Sequence, residues 1–370
     1  MATIINADTS NGLKLTSDTS GILELQSGGV TQLTINSNGI SAGVSGRNKI
    51  INGNMAINQR GSGALENGFL VDRFRVDSIA ASKGSATVQT ADVPTKFTSA
   101  LKYTSSTAYS VLATDYFFVS QKIEGNNITD LNWGTADAQT ITLSFWVKSS
   151  LTGTFGGALR NSAYNYNYPY TYTISSADTW EKKSVTITGP TSGTWLTTNG
   201  TGIDVWFSLG MGTTYSDTAG AWTTTAGLGS ATGATSVVGT SGATWLVTGV
   251  QLEAGTISTD FEHLQYGQQL ALCQRYYQTQ SIAVNALSNS GVAGFSFNTI
   301  MRAAPTITWS SGGVANRQYR IDNGAVYDVT SVSMFSFVGG LNYFYSFSPS
   351  GWAGGAGLGF TSNYVMSAEL

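Results

Sequence analysis

Apolar and polar side chains alternate along most of this 370-residue chain, and that period of two predicts short β-strands. Six segments carry the pattern most clearly: ATDYFFVSQKIEG, QTITLSFWVKSS, YPYTYTISS, WEKKSVTITG, IDVWFSLGM and TWLVTGVQLEAG. Each has β-branched and aromatic residues at its centre and Gly, Asn or Asp at its bounds. All fall between about Asn48 and Phe261 with little helical periodicity between them, which predicts an all-β region built as a jelly-roll β-sandwich. From Gly210 to Thr244 the chain turns rich in Gly, Ala, Ser and Thr around a lone Trp222, and reads as a long surface loop.

Ahead of this region, residues 4–44 hold a degenerate repeat of about nine residues. Leu13 with Leu15, Leu23 with Leu25, and Leu33 with Ile35 each follow glycine. Alternation puts each pair on one strand face, and the Ser, Asp, Asn and Gly between them supply turns, so a small β-meander is expected. Its few large apolar side chains do not offset the entropy of ordering it alone. Three copies packing these Leu and Ile faces around a threefold axis would resolve the deficit.

One helix is expected over Asp260 to Thr279, capped by Thr259 or Asp260, with Glu262 in its first turn. Leu264, Leu270, Cys273 and Tyr277 recur near helical spacing, and Gly267 weakens the middle. Beyond it Phe295 to Met301, Thr306 to Trp309, Gln318 to Ile321, Val326 to Val338 and Leu341 to Phe347 are again strand-like. The expected organisation is a β-stem at 1–46, a jelly-roll domain at 47–261, a connecting helix at 262–280 and a C-terminal β tip domain at 281–370.

Composition narrows the chemistry. Charged residues form 11% of the chain, against roughly 25% in an average soluble protein. A net charge of −3 without a basic run offers no footprint for nucleic acid. Neither a signal-peptide pattern nor an apolar stretch near 18 residues occurs, so synthesis in a cytoplasm without membrane insertion is expected. One cysteine, Cys273, and one histidine, His263, exclude most metalloenzyme classes. No cofactor is implied, and a structural calcium in the sandwich is left open.

Several strings resemble tail fibre proteins of tailed bacteriophages that carry a carbohydrate-binding-module-like sandwich. They are the opening NGLKLTSDTSGILELQSGGVTQLTINSNGI, RNKIINGNMAINQRG with FLVDRFRVD, the pair TLSFWVKSS and DTWEKKSVTITGP, the segment VTGVQLEAGTISTDFEHLQYGQQLALCQRYYQ, and the ending SAEL. Together they cover roughly residues 10–80, 140–190 and 245–280. The resemblance implies a homotrimeric virion appendage whose N-terminal region joins other virion proteins and which adheres to a host surface glycan without catalysis. A purely structural capsid fibre or decoration protein would share this composition. A glycan depolymerase is a third class, for which no evident acid pair is present.

Two aromatic groups are candidate glycan contacts. Tyr164, Tyr166, Tyr168, Tyr170 and Tyr172 stand at every second position, which on one strand gives a ladder of rings, and Asn165 and Asn167 could add hydrogen bonds. The same ladder could pack between sheets or subunits, and Pro169 argues for an edge strand. Tyr343, Tyr345 and Trp352 form the second group, in the domain expected to lie outermost. Candidate packing residues of the stem are Leu13, Leu15, Leu23, Leu25, Leu33 and Ile35. Asp72 with Arg73 reads as a buried pair closing the sandwich, and Glu253, Glu262 and His263 as packing at the domain exit.

Overall fold

A computed structural model describes the chain with side chains over residues 46–61, 63–279, 298–306 and 365–370, and as backbone in the further strands named below. The chain divides into two compact units, Met1–Arg47 and Asn48–Leu370. In the first, β1 (Leu23–Ser27), β2 (Val30–Asn36) and β3 (Gly39–Ile40) form an antiparallel meander. Its register sets Leu23 across from Ile35 and Leu25 across from Leu33, so the repeated apolar pairs meet strand to strand. Leu13 and Leu15 lie outside the described residues, as do the side chains of Leu23, Leu25, Leu33 and Ile35.

The second unit contains a two-sheet sandwich. Its strands are β4 (Gly68–Val71), β5 (Phe74–Ser78), β6 (Gly84–Gln89), β7 (Ala100–Ser105), β8 (Tyr116–Glu124), β9 (Ile141–Ser149), β10 (Gly153–Arg160), β11 (Asn167–Ile174), β12 (Glu181–Ile187) and β13 (Thr201–Met211). After a parallel pair of short strands, β14 (Ser216–Asp217) and β15 (Ser230–Ala231), β16 (Thr244–Ala254) completes it. One sheet runs β11-β10-β13-β8-β5-β4 and the other β12-β9-β16-β7-β6.

Alternation explains why the sheets face each other. Phe117, Val119 and Ile123 of β8 and Ile203, Val205 and Phe207 of β13 point inward and are buried. They meet Leu143, Phe145 and Val147 of β9 and Trp245 and Val247 of β16 in one core. The Phe145 ring lies 5.0 Å from Phe207 and 4.9 Å from Tyr172, centroid to centroid, and the Trp245 indole donates to the Tyr172 hydroxyl at 3.0 Å.

The segment 210–244 is more than a surface loop. Leu228, Ala231, Val237 and Val238 are buried, and the Thr223 and Asn167 backbones exchange hydrogen bonds at 2.9 Å. Gly220 N also donates to Pro169 O at 2.9 Å, so the segment covers the open edge of β11, where Pro169 could not have donated to a neighbouring strand.

The helix α1 is shorter than its periodicity suggested, spanning Tyr266–Gln274 with Gln265 at its N-cap. The expected caps are engaged elsewhere. Thr259 Oγ1 donates to Glu253 Oε2 at 2.7 Å, and Glu262 Oε2 accepts from Asn48 N at 2.9 Å, which ties 259–262 to the sandwich outside the helix. Cys273 is buried with Ile51, Ile57 and Tyr276. From β17 (Tyr277–Ala286) onward the chain builds a further sheet, with β18 (Gly291–Ser296), β19 (Thr306–Trp309), β20 (Arg317–Arg320), β21 (Val326–Val338), β22 (Asn342–Pro349) and β23 (Leu358–Ser367). Ala368 N donates to Tyr276 O at 2.8 Å, and Glu369 pairs with Arg60 and Arg73 of the sandwich.

Candidate functional site

Side chains that alternate away from the core must line the outer face of the β11-to-β4 sheet, and register brings them into rows. Arg160 on β10 is paired with Asp204 on β13, which is paired with Lys122 on β8. The next row holds Trp206, Ser120 and Arg75, and the next Ser208, Phe118 and Asp77. Over these rows lies a cleft of about 350 Å³, walled by Tyr164 and by Tyr215 and Gly227 of the 210–244 segment. That volume falls within the roughly 300–1,000 Å³ typical of small-ligand pockets.

The cleft floor is aromatic. Trp206 and Phe118 stack with centroids 3.4 Å apart and planes 20° from parallel, and Tyr116 leans on Phe118 at 5.7 Å. Gly229 lets the loop approach: a Cβ there would fall 2.7 Å from Met211 Cε and 2.8 Å from Trp206 Cε3.

Charge is concentrated beside these rings. The Arg160 guanidinium lies 3.6 Å above the Trp206 ring and 4.0 Å from the Tyr164 ring, and its Nη2 donates to Asp204 Oδ2 at 3.2 Å. Burial pulls its pKa below the ordinary arginine value, with the Asp204 charge opposing the shift. Arg75 Nε donates to Asp77 Oδ2 at 2.9 Å. Three shielded polar atoms of the cleft residues, Asp204 Oδ1, Arg160 Nε and Trp206 Nε1, have no hydrogen-bond partner. Leaving such groups unpaired is costly, and sites that accept polar ligands tolerate it.

The tyrosine ladder divides. β11 begins only at Asn167, because the chain turns at Tyr164, which adopts a left-handed φ of 56°. Tyr168, Tyr170 and Tyr172 therefore point into the core, and the Tyr170 hydroxyl donates to Trp206 O at 2.8 Å. Asn167 is buried with its Nδ2 donating to Tyr164 O at 3.2 Å. Tyr168, Tyr170 and Asn167 are thus structural, contrary to their candidacy as glycan contacts. Tyr166 stacks on Trp222 at 5.6 Å, and Asn165 accepts from Asn161 Nδ2 at 2.8 Å. Of this group, Tyr164 reaches the cleft. The side chains of Tyr343 and Tyr345, on β22, and all of Trp352 lie outside the described residues.

The other candidates also separate. Asp72 and Arg73 form the turn between β4 and β5 and do not pair with each other. Asp72 Oδ1 accepts from Gln59 N at 3.2 Å and lies 3.8 Å from Arg60 Nε, while Arg73 pairs with Glu369. Glu253 accepts from Thr259, and His263 packs against Phe97 and Phe261 with burial, foremost, lowering its pKa. Among the described residues, no group of three or more His, Cys, Asp or Glu gathers as metal ligands would. The cleft residues Phe118, Lys122, Arg160, Asp204 and Trp206 were not singled out from sequence. Their signal was parity, since Trp206 shares its strand face with Asp204, and Phe118 with Lys122.

These features define a two-sheet β-sandwich with an aromatic, charged cleft on one outer face. No family model matches the chain, and no curated protein does. Solved structures similar to it include the enzymatically active domain of tailspike protein 4 of bacteriophage CBA120, at 14% identity and a TM-score of 0.32 over 57% of this chain and 22% of that one. A putative sugar-binding protein from Bacteroides thetaiotaomicron gives 13% identity and a TM-score of 0.35 over 56% of this chain and all of the other. The carbohydrate-binding module TmCBM61, solved with β-1,4-galactotriose, gives 11% identity and a TM-score of 0.29 over 56% of this chain and 99% of the other. The match spans about a fifth of the tailspike chain.

Proposed function

We propose that the protein binds a glycan non-covalently in the cleft over β8 and β13, acting as a trimeric tail fibre that attaches a tailed phage to its host. The observation that carries the binding reading is the stacked Trp206 and Phe118 pair set beside Asp204, Arg160 and Lys122 in one cleft. Sugar rings offer apolar C–H faces to aromatic surfaces and hydroxyls to charged and amide groups, so this pairing of side chains suits them. Asp77 and Asp204, the two carboxylates lining the cleft, are each ion-paired with an arginine, an arrangement that supports adhesion rather than hydrolysis.

The fibre reading rests on the motifs of the opening and of residues 247–278, and on the meander pairing its Leu and Ile positions. Three cleft copies on one fibre would strengthen weak single-site binding through effective concentration. Affinity electrophoresis of the full-length chain through gels holding host-surface polysaccharide tests the binding reading. Wild type is retarded and Trp206→Ala, checked to be folded by circular dichroism, runs freely. Equal retardation of both would contradict it. Light scattering tests the fibre reading, which requires a mass near three chains. A monomer that binds no host polysaccharide would favour a decoration protein.

A further inference from the structure

The charges lining the cleft do not cancel. Arg75 is engaged by Asp77 and Arg160 by Asp204, with both partners inside the cleft. Lys122 also lines it, and among the described residues its ammonium makes no ion pair or side-chain hydrogen bond. The carboxylate nearest in register is Asp204, directly across from Lys122, and its Oδ2 is taken by Arg160 Nη2. The second, Asp77, is held by Arg75 Nε and Nη2. The cleft therefore presents three cations to two anions in a chain whose net charge is −3.

We infer that the cleft is built for an anionic glycan, with an acid group of the sugar on Lys122 Nζ and the ring over Trp206 and Phe118. This inference rests on the proposal that the cleft binds glycans and adds the class of sugar. A carboxylate and a phosphate substituent supply the same chemistry, an anionic oxygen accepting a charge-assisted hydrogen bond from the ammonium. Lys122 sits on a central strand directly across from Asp204, whose charge Arg160 already engages, so a neutral sugar can offer the ammonium a hydroxyl but no counter-charge, and an anionic one supplies it.

The test is a glycan array carrying uronic-acid, sialic-acid and phosphate-substituted oligosaccharides, each beside its carboxyl-reduced or dephosphorylated counterpart, probed with the full chain and with Lys122→Gln. Wild type should favour acidic members by about tenfold or more, losing that preference as salt rises. Lys122→Gln should abolish the preference, lowering binding to acidic members about tenfold or more, to the level of their neutral counterparts. Preference for carboxylated pairs alone would identify a uronate or sialate, and for phosphorylated pairs alone a phosphoglycan, either one supporting the inference. Equal binding of acidic and neutral members by both proteins would overturn it while leaving glycan binding standing. Binding to no glycan would overturn both.

Discussion

Glu369 accepts a hydrogen bond from the guanidinium of Arg73, 296 residues earlier in the chain, and both side chains are buried. Arg60 reaches the same carboxylate, and the Arg73 guanidinium lies 3.6 Å from the Tyr276 ring. The last residues of the chain therefore complete the junction where the sandwich passes into α1 and β17. Removing one partner of a buried pair strands the other charge, so Glu369→Ala should destabilise the protein by about 3–5 kcal/mol in urea unfolding. Glycan binding should persist, because none of these groups lines the cleft.

Asp72, in the same junction, has its pKa raised from 3.8 to about 6, chiefly by burial, with Gln59 and Arg60 opposing the shift. The folded state then holds this proton more tightly than the unfolded chain. Its contribution to stability is complete below about pH 4 and is lost as pH rises through about 6. Asp72→Asn should remove this component, so the variant's loss of urea midpoint between pH 4 and pH 7 should be smaller than that of wild type.

Tyr164 and Tyr170, six positions apart, should behave oppositely. Tyr170 is in the core, and Tyr170→Ala should cost about 3–5 kcal/mol of stability. Tyr164 lines the cleft against Arg160, and Tyr164→Ala should weaken glycan binding while changing stability by less than about 1 kcal/mol. Thermal unfolding and affinity electrophoresis of the two variants separate these effects.

Gly229 carries the approach of the loop to Trp206 and Met211. Gly229→Ala would force that wall outward, costing about 1–3 kcal/mol and reducing glycan affinity about tenfold. Titration of the variant beside wild type, with the array's best ligand, checks the second figure.

Much of this fold was legible because its strands are marked locally. β8, β9, β11, β12, β13 and β16 each concentrate β-branched and aromatic residues between turn residues. Where tertiary contacts decide, local pattern misled. Thr259 and Glu262 look like helix-start residues but bind Glu253 and Asn48. The five-tyrosine alternation breaks where Tyr164 takes a positive φ. The cleft was the least legible feature. Arg160, Asp204 and Lys122 meet only through cross-strand register, and register between strands distant in sequence leaves no local trace.

The most direct test of the central claim is a crystal structure of the full chain soaked with the tightest-binding oligosaccharide found on the array. The account predicts sugar density in the cleft, with one ring against Trp206 and Phe118 and polar contacts to Lys122 or Asp204. Density confined to another surface, such as the sheet formed by β17 to β23, with the cleft empty, would contradict it.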